Sequence, residues 1–194
     1  MAVAVRDEIT GLILAGGRGS RMGGLDKGWV PFRGSALIRH VLERFSPQVG
    51  SVLISANRNL ERYRELGVEV VADDTARFGE YAGPLAGVLQ AMRAARAPWL
   101  AVVPCDAPAL PLDLVARLAG EVGDAAAAAA WGGGRVQPLF CLLRSGLAER
   151  LDRALQSGVR RPSDFLESVG ATAVQFESDR EFANLNTKSD LLAW

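Results

Sequence analysis

The stretch ITGLILAGGRGSRMGGLDKG, residues 9–28, decides how the chain folds. Its first six residues are an apolar run, and residues 14–28 then pack in six glycines, two arginines and one lysine. Six apolar residues bounded by glycine read as a buried strand, because a helix needs roughly twice that length. Glycine lacks a Cβ, so a loop built on Gly16, Gly17, Gly19, Gly23 and Gly24 can turn sharply and aim successive backbone N–H groups at one oxyanion. In open α/β sheets ligands sit beyond the carboxyl ends of the strands, and that position favours a ligand loop over a solvated turn. Two familiar phosphate loops are excluded. Asp26, not glycine, precedes Lys27, and Met22 stands where a dinucleotide fingerprint needs its third glycine.

Working outward, apolar runs recur at residues 51–55, 68–72 and 99–103, separated by helical spacing at 36–45, 60–66 and 84–96. This alternation predicts βαβ units and a mostly parallel sheet covered on both faces, a Rossmann-like three-layer α/β/α sandwich. A further helix fits residues 112–122. The alanines at 125–130 are too short a run before Gly132, Gly133 and Gly134 for a helix. They predict a buried strand turning into a partner at 135–143, an antiparallel excursion in the C-terminal half. A helix at 147–156, a basic turn at Arg160 and Arg161, a strand at 172–176 and a closing helix at 189–194 complete the expected order. No linker divides the 194 residues, so one domain is expected.

Lys plus Arg and Asp plus Glu number 22 each, which leaves no global positive field for nucleic acid or an anionic membrane surface. No apolar stretch reaches the roughly 20 residues that span a bilayer, and charges at positions 6–8 interrupt any secretory signal, so a cytoplasmic protein is expected. His40 is the only histidine, which argues against a histidine triad or a multi-imidazole zinc site. Cys105 and Cys141 match no metal-ligand spacing and read as buried thiols.

Polar residues follow each expected strand. Arg21 and Lys27 can fold back over an anion held by the glycines, guanidinium gripping two oxygens and ammonium acting as a point charge. Asn57 follows the second strand, Asp73 and Asp74 the third, and Asp106 the fourth. Pro104 and Pro108 bracket Asp106 and stiffen its loop, as a fixed Mg²⁺ ligand requires, because a carboxylate facing phosphates needs a cation between them. Arg21, Lys27 and Asp106 form the expected catalytic set.

The block LAGG-x-x-x-RMGG-x-DKG resembles the signature loop of molybdenum cofactor guanylyltransferases, and SANR (55–58), VVAD (70–73), GPLAG (83–87), PCDAP (104–108) and NLNT (184–187) resemble that family's later blocks in the same order. Sugar nucleotidyltransferases usually carry AAG where Ala15, Gly16 and Gly17 stand. The resemblance implies transfer of GMP from GTP to the terminal phosphate of molybdenum-bearing molybdopterin, with release of pyrophosphate. It implies that Leu14, Ala15, Gly16 and, with the nest, Gly17 meet the nucleotide, Lys27 the phosphates, Asn57 and one strand-three aspartate the guanosine, and Asp106 both nucleotide and Mg²⁺. Asn184 and Asn186 match family asparagines near the site. The segment between VVADD and GPLAG is longer than usual in the family, which leaves Asp73 and Asp74 both open; Asp73 is preferred because it directly follows the strand. The acceptor is expected over the C-terminal half, with Arg160, Arg161, Arg135 and Gln137 as candidates. Cofactor-delivery proteins and acceptor molybdoenzymes are the protein partners such an enzyme would meet. A cytidylyltransferase or sugar-phosphate nucleotidyltransferase of the same fold, and a non-catalytic nucleotide-binding protein, are the competing readings.

Overall fold

The apolar run at residues 9–14 becomes the central strand β1 (Ile9–Leu14), parallel to a neighbour on each side. The computed structural model describes residues 6–17, 25–79, 82–177 and 180–194. The strands that follow are β2 (Pro31–Phe32), β3 (Ser35–Ala36), β4 (Ser51–Ser55), β5 (Glu69–Val71), β6 (Trp99–Pro104), β7 (Ala127–Gly132), β8 (Arg135–Arg144) and β9 (Thr172–Gln175). The helices are α1 (Leu37–Phe45), α2 (Leu60–Arg64), α3 (Thr75–Phe78), α4 (Pro84–Ala94), α5 (Leu114–Glu121), α6 (Ala148–Gln156), α7 (Pro162–Ser168) and α8 (Lys188–Ala193).

Seven strands form one sheet in the order β5-β4-β1-β6-β8-β7-β9. The chain moves outward from β1 through β4 to β5, then returns to lay β6 on the other side of β1. That reversal opens a crevice between the carboxyl ends of β1 and β6. The pairs β1/β4, β1/β6, β4/β5 and β7/β9 are parallel, whereas β8 runs antiparallel to both β6 and β7, as the expected excursion requires. Gly133 and Gly134, both at positive φ, make the two-residue turn between β7 and β8.

Strand alternation divides the core. Ile9, Ile13, Ala101, Val103, Ala128 and Ala130 face the layer of α1 and α5, where Val41, Phe45, Leu114 and Leu118 pack. Leu12, Leu100, Val102, Ala127 and Ala129 face α4, α6 and α7 through Leu89, Leu151, Leu155 and Phe165. A strand buried on both faces must be apolar throughout, which is why alanine forms strand here despite its helix propensity. No helix among the described residues is long and apolar enough to cross a membrane.

Three small elements escape the sequence reading. β2 and β3 are two residues each, turned by Arg33 and Gly34 at positive φ, and α3 is a single turn; none is long enough to show a period. The helix expected over 84–96 stops at Ala94, with Ala95 already extended.

Within the layer of α4 and α6, Asp152 is buried and accepts from Arg77 Nη2 of α3 and Arg93 Nη2 of α4, each at 2.8 Å. One carboxylate thus ties three helices together. Both guanidinium groups are more than a third exposed, which screens the attraction. Asp152→Ala should therefore cost about 1–3 kcal/mol of stability, read as a lower urea midpoint with an unchanged slope.

Candidate functional site

A cavity of about 510 Å³ fills the crevice at the carboxyl ends of β1, β4, β5 and β6. Its floor comes from strand ends: Leu14, Gly16 and Gly17 after β1, Ser55 on β4, Asp73 after β5, and Asp106 after β6. Two backbone bonds knit these ends, Ala15 N–H donating to Ser55 O at 2.8 Å and Cys105 N–H to Leu14 O at 3.0 Å. Ala15's amide is therefore used within the sheet, and the amides free to face a ligand begin at Gly16.

Asp106 is only 4% exposed, and a carboxylate that deep needs a cation. Lys27 provides it, its ammonium donating to Asp106 Oδ2 and to Asn186 Oδ1. The segment carrying Asn184 and Asn186 is docked by Leu185 N–H on Asp106 O at 2.9 Å. Asp190 then fixes Asn186 from behind, accepting from the backbone N–H of Asn186 at 2.7 Å and of Thr187 at 2.8 Å. Thr187 returns the bond to Asp190 N–H, which closes a capping box at the start of α8. These backbone donors hold the Asp190 carboxyl below the usual carboxylate range. Sequence reading missed Asp190, although Thr187 three residues ahead of an acid is the signal of such a box.

The lone lysine between Asp26 and Gly28 has a local explanation. Asp26 is an anchor, accepting from the Tyr63 hydroxyl and from Asn59 Nδ2 at 2.9 Å. Burial pushes the Tyr63 hydroxyl far up, so it remains a proton donor to that carboxylate. A Cβ at residue 28 would lie 2.5 Å from the Tyr63 oxygen, so only glycine lets the ring close under the turn. Arg58 Nη2 donates to the carbonyls of Gly17 at 3.3 Å and Leu25 at 2.9 Å, drawing together the two ends of the glycine stretch. Held on both sides, Lys27 points into the cavity.

Asn57 and Asp73 form a reciprocal pair: Asn57 Nδ2 donates to Asp73 Oδ2 at 2.7 Å, and Asp73 N–H donates to Asn57 Oδ1 at 2.9 Å. Asp73 Oδ1 is buried without a partner among the described residues. Burial raises the Asp73 pKa above its usual value, opposed by the Asn57 bond. Asp74 does other work, capping α3 by accepting from Arg77 N–H at 3.1 Å. Of the two aspartates, Asp73 is the one in the cavity wall.

Not every expected residue gathers here. Arg21 lies outside the described residues. Arg160 turns its guanidinium onto the carbonyls of Leu155 at 2.6 Å and Val159 at 3.0 Å, closing the end of α6. Arg161 is exposed at the N-cap of α7, and Arg135 is exposed on β8. Gln137 donates to Gly132 O at 2.9 Å. Both cysteines are buried free thiols; burial pushes Cys141 up to about 12, and Cys105, beside Asp106, further still. His40 bonds Phe32 O at 2.8 Å.

Residues 11–172 match the MobA-like NTP transferase domain family. Molybdenum cofactor guanylyltransferases from Ralstonia nicotianae and Bordetella petrii are 46% and 45% identical to this chain; the alignments cover 95% and 96% of it, and 94% and 96% of those proteins. The crystal structure of molybdopterin-guanine dinucleotide biosynthesis protein A from Archaeoglobus fulgidus superposes with a TM-score of 0.73 at 25% identity, covering 95% of each chain.

The raised Asp73 pKa has a measurable sign. Its folded value exceeds the unfolded 3.8, so its stabilising contribution is complete below 3.8 and is lost as pH rises through the folded value. Asp73→Asn should remove that loss, so the urea midpoint of the variant should gain on wild type as pH rises from about 4 towards neutrality.

Proposed function

We propose that this chain, which belongs to the MobA-like NTP transferase family, transfers GMP from GTP to the terminal phosphate of molybdenum-bearing molybdopterin, releasing pyrophosphate and forming the guanine dinucleotide. One observation carries the reading: Gly16 and Gly17 after β1 and the buried Asp106 after β6 share a single cavity, with Lys27 bonded to Asp106 in it.

The chemistry asks for charge more than for a base. The acceptor phosphate is already an anion; its oxygen attacks the α-phosphorus, and the bond to the oxygen bridging the β-phosphate breaks, leaving its electron pair on pyrophosphate. Two unit charges at 4 Å repel by about 4 kcal/mol at an effective dielectric near 20, so several positive groups must face the polyanions. The amides from Gly16 and Gly17 and the Lys27 ammonium, joined on this reading by Arg21, are the chain's contribution. On this reading Leu14 walls the nucleoside side, with Ala15 buried beneath it, Asn57 and Asp73 toward the guanosine and Asn184 and Asn186 over the phosphates.

The residues present fit Mg²⁺. Asp106 and Asn186 turn hard oxygen donors onto one cation, the Lys27 ammonium. Among the described residues no three acidic, histidine or cysteine side chains cluster, which suits an ion that takes one or two carboxylates and completes its shell with phosphate and water. Asp106 would hold it, and when bound it supplies Lewis-acid neutralisation of the triphosphate.

The acceptor is assigned to the C-terminal half, with Arg161 ahead of Arg160, whose guanidinium is committed to α6. Proteins that deliver the acceptor, and molybdoenzymes that receive the product, are its expected partners in the cytoplasm.

Purified protein mixed with GTP, Mg²⁺ and molybdenum-bearing molybdopterin should release pyrophosphate and yield a dinucleotide of the expected mass, with CTP a poor donor; preference for CTP would overturn the reading. Lys27→Ala should lower kcat by about 10²-fold or more with a small change in the KM for GTP. Asp106→Ala should abolish Mg²⁺-dependent turnover. Arg161→Glu should raise the KM for the acceptor about tenfold or more and leave that for GTP unaltered.

A further inference from the structure

Ser55 is 2% exposed, and what little of it remains open faces the cavity. Its carbonyl is used by Ala15 N–H, whereas its hydroxyl makes no hydrogen bond with any described residue. A hydroxyl at the cavity wall with no partner among the described residues is open to one that arrives from the cavity.

Helix α4 is shaped to the same hydroxyl. A Cβ on Gly87 would stand 2.2 Å from Ser55 Oγ, so the helix carries glycine, a poor helix former, where it meets the hydroxyl. Glycine at position 87 leaves the space that the Ser55 hydroxyl occupies at the cavity wall.

Position along the sheet edge says which part of a ligand it meets. From β6 to β5 the strand ends present Asp106, Gly16, Ser55 and Asp73 in that order. Neighbouring strands lie about 4.8 Å apart, so Ser55 stands about 10 Å from the phosphate end at Asp106, with Asp73 one strand further. An extended nucleoside triphosphate whose phosphates lie at Asp106 brings its base to Ser55 and Asp73. Guanine presents an acceptor, O6, next to the donors N1–H and N2–H₂, whereas adenine and cytosine present an amino donor in place of O6. A hydroxyl beside a carboxylate whose Oδ1 is unpartnered is a donor beside an acceptor, the complement of guanine's edge.

We infer that the Ser55 hydroxyl donates to O6 of the guanine base and is a specificity-determining contact of the nucleotide site. The inference rests on the guanylyl reading above and adds the atom that reads the base.

The test pairs a protein change with a ligand change. Dissociation constants of wild type and Ser55→Ala are measured by calorimetry for Mg-GTP and for the Mg complex of 2-aminopurine riboside triphosphate, which keeps the 2-amino group but carries hydrogen at position 6. Ser55→Ala should weaken GTP about fivefold to tenfold and leave the analogue within twofold. Ser55→Cys, a poorer donor of similar size, is the second variant and should show the same selective loss, smaller in size. An unchanged GTP affinity overturns the inference, and so does an equal loss for both nucleotides, which would mark a packing role. If wild type binds CTP more tightly than GTP, the guanylyl reading itself fails, and that result is independent of either variant.

Discussion

A carboxylate buried at the edge of a sheet cannot stand alone, and the pairing of Asp106 with Lys27 is the constraint around which this molecule is arranged. The partners are 79 residues apart in sequence. They meet because the chain reverses direction between β5 and β6 and lays β6 against β1, so the loops leaving those two strands face each other across one crevice. Each is braced from outside: Lys27 through Asp26, Tyr63 and Asn59, and the far side through Asn186 and the box that Thr187 and Asp190 build. Pre-set donors of this kind need no reorganisation when charge develops, which is the main electrostatic advantage of a folded site over water.

The same architecture separates tasks along the sheet edge. The end at Asp106 presents the Gly16 and Gly17 backbone and the Lys27 ammonium, groups that on the proposed reading meet phosphates and tolerate any nucleoside. The end at Asn57, Asp73 and Ser55 offers atoms with fixed donor or acceptor character, where a choice among bases can be made. The Asn57 side chain matters here, because it occupies one carboxylate oxygen of Asp73 and leaves the other without a partner among the described residues.

Much of this was legible in the residues. Apolar runs such as Ile9–Leu14 and the alternation with helical segments specify a doubly covered sheet, and proline or glycine marks most boundaries. The alanine strand β7 was readable only because three glycines end it. Asp106 was conspicuous between prolines. What escaped has physical causes: β2, β3 and α3 are too short to carry a period, and the anchor of Asp26 lies on a helix more than thirty residues away, which no local pattern announces. The fate of Arg160 was equally hidden, since a guanidinium serves a helix end or a ligand phosphate with the same chemistry. Asp190 was written in the sequence and overlooked.

The three-way tie at Asp152 bears on how two reactants are held in line. Arg77 joins it from the short helix just beyond the Asp73 and Asp74 pair, while Asp152 itself sits on the helix that ends at the basic turn of Arg160 and Arg161. Gly83, at the start of α4, lies against the backbone of that same turn. The Asp73 side of the cavity and the turn at Arg160 are consequently linked through one buried carboxylate and the close approach at Gly83. On the proposed transfer, such a link bears on the spacing of the two reactants, where an error near 1 Å can cost a hundredfold in rate.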